Sequence, residues 1–217
     1  MVTYLYGLVL ARNVDRVPVA AGFGGAPVRS VRCGMLGALV SAVEQMPARP
    51  TLEDVRTHDA VLQSAVDAGV TAVAVRFGQT FAGDDEMCRH TTERHEPLAR
   101  LLEQYDGAVE MRLLLPAADD EPPPQLEKDI GPGRAYLESL RESREHADHL
   151  GLRGAIGPSV RAEKVERLPR SRGVVFAHLV MRDELQDYRE AISLLPSLAD
   201  AKVVGPLALY SFAETTS

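Results

Sequence analysis

The six histidines are the side chains of this sequence best suited to metal binding or acid–base chemistry. His146 and His149 are three residues apart and would share one helix face, but no spacing marks the third ligand that a metal centre needs. His90 and His95 are five residues apart, which does not place two side chains on one face of a continuous helix. We therefore predict a solvated helix face for the first pair and surface positions for the second, and no metal site.

The only two cysteines, Cys33 and Cys88, are the candidate nucleophiles. Neither has a local signature that pairs it with a histidine and a carboxylate, which a cysteine nucleophile requires. Two cysteines separated this widely are too few for a disulfide scaffold, and a reducing compartment keeps thiols free. Both are expected to be buried structural thiols.

Two further patterns resemble ligand sites only superficially. The glycine-rich stretch Gly22–Gly25 has neither the lysine of a phosphate-binding loop nor the GxGxxG spacing, so it predicts a loop. The acids Asp84–Glu86 are what a helix dipole favours at a helix start, and need no catalytic role. The sequence therefore predicts no catalytic residue, no cofactor and no enzymatic activity.

Composition excludes several classes of function. The chain has 217 residues, a net charge of −7 and 45% hydrophobic residues, which is typical of a globular protein with a real core. The excess of acids, with arginines scattered among them, argues against nucleic-acid binding. No apolar run is long enough to cross a bilayer, and the first ten residues lack the pattern of a signal peptide. We expect a cytoplasmic protein.

Hydrophobic periodicity predicts alternating strands and helices. The cap residue Thr51 begins a helix that ends at Gly69, and a second helix opens at Asp84 and is kinked or divided at Pro97. Further helices are predicted over Arg134–Leu150 and from Leu185 to Leu195. The predicted strands are Thr3–Leu10, Val28–Cys33, Leu36–Val43, Val70–Phe77, Ala108–Leu115, Gly173–Met181 and Lys202–Val204.

This order predicts an α+β fold of two small domains, in which helices pack on largely antiparallel sheets. A boundary at Asp106-Gly107 gives an N-terminal α+β domain over 1–106, a C-terminal α+β domain over 107–206 and a tail over 207–217. Gly7, within a central strand, indicates a close approach of another backbone.

Four segments in sequence order resemble the gas vesicle proteins of the GvpF/GvpL family, over residues 4 to 212. They are Tyr4-Leu5-Tyr6-Gly7, the segment Val75–Phe81 preceded by a helix bearing His58, the segment Gly133–Leu137, and Gly205-Pro206 followed by Tyr210-Ser211-Phe212. The resemblance implies a two-domain α+β architecture with ferredoxin-like elements. It also implies a non-enzymatic protein of the gas vesicle that binds the shell protein GvpA, limits its aggregation and assists nucleation and assembly, with other gas vesicle proteins as further partners. The alternative is a small-molecule-binding regulatory module, as pairs of ferredoxin-like domains often are.

The matched motifs also supply the candidate partner-binding or structural residues. Arg76 at a strand end would form either an ion pair with an acid across the domain junction or a contact to a partner. The tail aromatics are expected to pack back between the domains rather than to form an exposed anchor. The full set is Tyr6, Arg76, Phe77, Arg134, Tyr136, Tyr210 and Phe212.

Overall fold

The computed structural model describes residues 1–44, 50–115, 151–167 and 173–213. Contacts divide the chain into one unit of Met1–Val109 with Pro206–Ser217 and a second of Glu110–Gly205. The predicted fold class, helices packed with antiparallel sheets, is confirmed. None of the helices in the described ranges combines the length and apolar character that a membrane crossing requires.

The first unit is built on a five-stranded sheet in the order β2-β3-β1-β4, with β5 also paired to β1. The central strand β1 is buried almost throughout, as its apolar run predicts. Its antiparallel register with β3 shifts between Leu5 and Gly7, which leaves Tyr6 as the extra residue of a β-bulge. The elements are β1 (Val2–Leu10), β2 (Arg29–Cys33), β3 (Leu36–Val43), α1 (Leu52–Asp67), β4 (Val73–Ala74), β5 (Thr80–Phe81), α2 (Asp84–Arg94) and α3 (Glu96–Gln104).

Local sequence explains how the helices of this unit begin and end. Thr51 and Asp54 form a reciprocal capping box at the start of α1. The helix that opens at Asp84 ends at Arg94, and Pro97 lies in the first turn of α3, so the predicted division is confirmed. The predicted close approach at Gly7 is also confirmed, since a Cβ there would lie 2.4 Å from Leu62 Cδ2 and 2.7 Å from the carbonyl oxygen of Val73.

The second unit contains a four-stranded sheet in the order β7-β8-β6-β9. With helices after the first and third strands, this is the ferredoxin-like arrangement. Its core joins sheet residues such as Met111 and Phe176 to Leu152, Tyr188 and Ile192 of the helices. The elements are β6 (Ala108–Leu115), α4 (Leu152–Ile156), β7 (Val160–Arg167), β8 (Val174–Met181), α5 (Leu185–Ser193) and β9 (Lys202–Leu207).

The expectation of free thiols is wrong. Cys33 at the end of β2 and Cys88 on α2 form a disulfide, with their Cα atoms 4.9 Å apart. The two residues are 55 positions apart in the chain. Sequence separation does not limit a disulfide, because the packing of α2 against β2 brings the two positions together.

Candidate functional site

Five rings from four segments of the first unit pack into one cluster, which we call the aromatic cluster. It consists of Tyr4, Tyr6, Phe23, His58 and Phe77. Ring centroids lie 4.7 Å apart for Tyr4 and Tyr6, 4.7 Å for Tyr4 and Phe23, and 5.6 Å for His58 and Phe77. Aromatic residues make up only 5% of the chain, so this concentration is the most distinctive feature of the unit.

The backbone of β1 sets the position of the two tyrosines. Tyr4 and Tyr6 are two residues apart on a strand and therefore share a face, and the bulge falls at Tyr6. Gly22 lies directly against Tyr6, since a Cβ at Gly22 would be 2.1 Å from the Tyr6 hydroxyl. A glycine is thus required there, and it brings the adjacent Phe23 onto the tyrosines.

Hydrogen bonds hold the buried rings in place. The Tyr6 hydroxyl lies 2.7 Å from Ser41 Oγ and accepts a hydrogen bond of 3.0 Å from the Phe23 backbone N–H. The Tyr4 hydroxyl accepts a bond of 3.1 Å from the Gly78 N–H and lies 2.9 Å from His58 Nδ1. Tyr4 donates its proton to Nδ1 when the neutral His58 ring carries its own proton on Nε2, and accepts in the other tautomer.

Burial keeps these groups uncharged. It lowers the pKa of His58 to about 4, against a smaller opposing effect of Asp59. Burial raises the pKa of Tyr4 to about 12 and also raises the pKa of Tyr6. Near neutral pH the cluster therefore holds a neutral imidazole and two neutral phenols, which suits packing and hydrogen bonding better than proton transfer.

The cluster opens to solvent at two rings. Phe23 and Phe77 are half-buried, whereas Tyr4, Tyr6 and His58 are buried. Along α1, Val55 lies three residues before His58 and is 47% exposed, and Leu52 lies three residues before Val55 and is 66% exposed. Residues three apart are neighbours on a helix surface, so Val55 lies beside His58 and Leu52 beside Val55, toward the start of α1. We call Phe23, Phe77, Leu52 and Val55 the apolar patch.

The structure brings two of the predicted motif residues into this site. Tyr6 is a buried member of the cluster and Phe77 a half-buried one. Arg76 is exposed and makes no ion pair with another described residue. Arg134 and Tyr136 lie outside the described residues.

The other two motif residues lie in the C-terminal segment, which packs onto the first unit. Leu209 forms a parallel bridge with Val73 and donates a hydrogen bond of 2.8 Å to the Ala72 carbonyl. Phe212 is buried, and the half-buried Tyr210 donates its hydroxyl proton to Asp59 on α1. Both aromatics therefore pack with this unit.

Sequence reasoning missed Tyr4, Phe23 and His58 as members of one site. The glycines around Phe23 indicated a loop but not what the loop covers. Tyr4 and Tyr6 at strand spacing, in a chain so poor in aromatic residues, were the available signal. No sequence pattern indicated that a loop and a helix later in the chain pack against β1.

The interpretation of His90 and His95 as surface positions is also wrong. Their ring centroids lie 5.5 Å apart, both residues are half-buried, and the His90 ring lies 5.1 Å from that of Phe81. A spacing of five residues separates two side chains only on one continuous helix, whereas His95 lies between α2 and α3. Even so, no three His, Cys, Asp or Glu side chains gather as a metal centre within the described ranges.

The second unit contains its own buried tyrosine–histidine pair. His178 Nδ1 lies 2.7 Å from the Tyr188 hydroxyl, and both side chains are fully buried. His178 Nε2 lies 3.4 Å from Glu163, which accepts a hydrogen bond of 2.7 Å from Arg153. Burial raises the pKa of Glu163, but the interactions with His178 and Arg153 outweigh it and lower the pKa to about 2. These side chains form a polar network that runs from the buried Tyr188–His178 pair to the exposed Arg153.

Known proteins resemble this chain in sequence and in fold. Residues 2–214 match the family described as gas vesicle synthesis protein GvpL/GvpF. The crystal structure of GvpF from Anabaena sp. PCC7120 is similar with a TM-score of 0.77 and 18% identity, covering 100% of this chain and 97% of that chain. GvpF from Microcystis aeruginosa is similar with a TM-score of 0.73 and 16% identity, covering 98% and 99%. Among curated proteins, none matches significantly.

Proposed function

This chain belongs to the GvpL/GvpF family of gas vesicle synthesis proteins, and we propose that it binds the shell protein GvpA, limits GvpA aggregation and assists vesicle nucleation and assembly. Its place of action is then the gas vesicle within the cytoplasm. The family match supports other gas vesicle proteins as partners in general. The choice of GvpA follows from what the family resemblance implies, and the apolar patch is the surface that we assign to this contact.

The apolar patch is the observation that carries this proposal. An assembly protein must cover apolar surface of its client, so it needs exposed apolar side chains on a support that does not collapse. Leu52 and Val55 supply the exposed side chains. The half-buried Phe23 and Phe77 add to the surface and are supported by the hydrogen-bonded rings of Tyr4 and Tyr6 that lie against them. Of the motif residues, Phe77 would touch the client directly, and Tyr6 would act from beneath.

The competing function, binding of a small molecule, has less support. The second unit has an open cavity of about 640 Å³ lined mostly by apolar side chains, among them Ile192, Leu195 and Leu198. Its charged lining residue, Arg189, donates a hydrogen bond of 3.0 Å to the Gly205 carbonyl oxygen. A specific ligand site needs several polar groups that converge on the ligand, and this lining does not supply them.

Co-expression with tagged GvpA tests the proposal. We expect the wild-type chain to keep GvpA soluble and to co-elute with it. The double variant Leu52→Ser/Val55→Ser should reduce the co-eluting GvpA by about tenfold or more, as loss of a buried apolar contact predicts. Leu194→Ser is the matched control, since Leu194 is 78% exposed and lies in the second unit.

The possible outcomes test the identity of the partner and the location of the binding surface separately. If GvpA aggregates and does not co-elute with the wild-type chain, GvpA is not the client. If both the double variant and Leu194→Ser bind as well as the wild type, GvpA is the client but the apolar patch is not its binding surface.

A further inference from the structure

The Cys33–Cys88 disulfide joins α2 to β2, the outermost strand of the first sheet, and the side-chain hydrogen bonds from the sheet to the start of α2 meet at one carboxylate. Arg29 on β2 forms two hydrogen bonds of 2.7 Å with Asp84, the first residue of α2. Thr3 donates to the same carboxylate at 3.0 Å. All these bonds converge on one half-exposed aspartate, so solvent and salt weaken them.

The two sulfur atoms differ in accessibility. Cys33 is buried at the end of β2, whereas Cys88 is half-buried on α2. An attacking thiolate therefore reaches the Cys88 sulfur more easily, and Cys33 becomes the leaving group. This asymmetry is typical of a disulfide open to exchange in the folded protein, in contrast to one enclosed in a core.

We propose that Cys33 and Cys88 form a reversible thiol–disulfide exchange site that controls how firmly α2 is held on the sheet. A dithiol reductant supplies the electrons. Its first thiolate attacks Cys88 Sγ, the bond between the two cysteines breaks, and Cys33 leaves as a thiolate that takes up a proton. The second thiol of the reductant then resolves the mixed disulfide, which releases Cys88 as a thiol and leaves the reductant oxidised.

Reduction removes the covalent attachment of α2 and leaves the contacts of Asp84 and the buried side chains Met87 and Thr91 to hold it. A cross-link that closes a loop of this length restricts the unfolded chain strongly, so its loss should lower Tm by about 10 °C. Local opening of α2 should increase more than opening of the central strands. The site is independent of the proposed GvpA contact.

Mass spectrometry with thiol alkylation tests the first step on the full chain. After equilibration with oxidised glutathione, both cysteines should resist alkylation, and after treatment of the folded protein with dithiothreitol, both should react. Return to oxidised glutathione should restore protection. Two free thiols in the oxidising buffer, or a disulfide that dithiothreitol reduces only in denaturant, would overturn the proposal.

Hydrogen exchange tests the consequence for α2. Amides of residues 84–94 should exchange about tenfold faster in the reduced wild type than in the oxidised form, while those of β1 and β3 stay within about twofold. Cys33→Ser/Cys88→Ser should match the reduced form in either buffer. Equal exchange of α2 in the two redox states contradicts the control role, and the wild-type comparison holds even if the double variant folds poorly.

Discussion

The two units each bury a hydrogen-bonded tyrosine–histidine pair, and their surroundings differ. In the second unit, His178 faces Glu163, which in turn binds Arg153, so charge is balanced within the network. In the first unit, His58 packs against Phe77 and Tyr6. The same two residue types therefore belong to a polar network that reaches solvent at Arg153 in one unit and support an apolar surface in the other. The elements around the pair, more than the pair itself, decide which role it has.

The largest expected effect is on the pH dependence of the free energy of unfolding, through His58 in the first unit. The pKa of His58 is lowered from 6.5 to about 4 in the folded protein. Between these pH values the unfolded chain binds a proton that the folded chain does not, so the free energy of unfolding falls as the pH falls, by roughly 3 kcal/mol in total. Urea unfolding of wild type and His58→Gln at pH 7 to 4 measures this. The variant should lose that slope, and an unchanged slope would mean that His58 titrates normally.

The free energy of unfolding should fall a second time at lower pH, through Glu163 in the second unit. The pKa of Glu163 is lowered from 4.5 to about 2, so its stabilising effect is complete above pH 4.5 and is lost as the pH falls toward 2. The side chain of Arg153 is 43% exposed, and solvent screening reduces the expected effect to about 2 kcal/mol.

Glu163→Gln should abolish this lower transition and retain the one between pH 6.5 and 4. Glu166→Gln, on the same strand but exposed, is the matched control and should change neither. If Glu163→Gln and His58→Gln altered the same pH range, the two pairs would not be independent.

The smallest expected change in stability is that of Gly22→Ala, which tests the packing of the aromatic cluster. Gly22→Ala places a methyl group 2.1 Å from the Tyr6 hydroxyl, which is fixed by two hydrogen bonds, so we expect a loss of about 1 to 2 kcal/mol. Gly154→Ala in α4 meets no atom within 4 Å and should change stability by less than about 1 kcal/mol. Thermal unfolding of both variants compares the two units directly. If Gly22→Ala were as stable as Gly154→Ala, the loop at Gly22 would move enough to accommodate the methyl group.

Much of the fold could be predicted from local patterns. The apolar run of β1, the cap at Thr51 and the division near Pro97 each depend on neighbours within a few residues, and each is confirmed. The family resemblance is confirmed as well, because its motifs are read directly along the chain. The candidate site could be predicted only in part, through Tyr6 and Phe77.

The sequence by itself determined the family and many of the described helices and strands, since periodicity and motifs are local. It did not mark β5, α4 or β7, and of the predicted strand Val70–Phe77 only Val73–Ala74 forms β4. Only the tertiary structure decided that Phe23 and His58 join Tyr4, that Cys33 meets Cys88, and that the C-terminal segment packs on the first unit. These contacts join residues far apart in the chain. They form because the sheet and its helices bury a common apolar core, and no short-range pattern records which distant segments that core brings together.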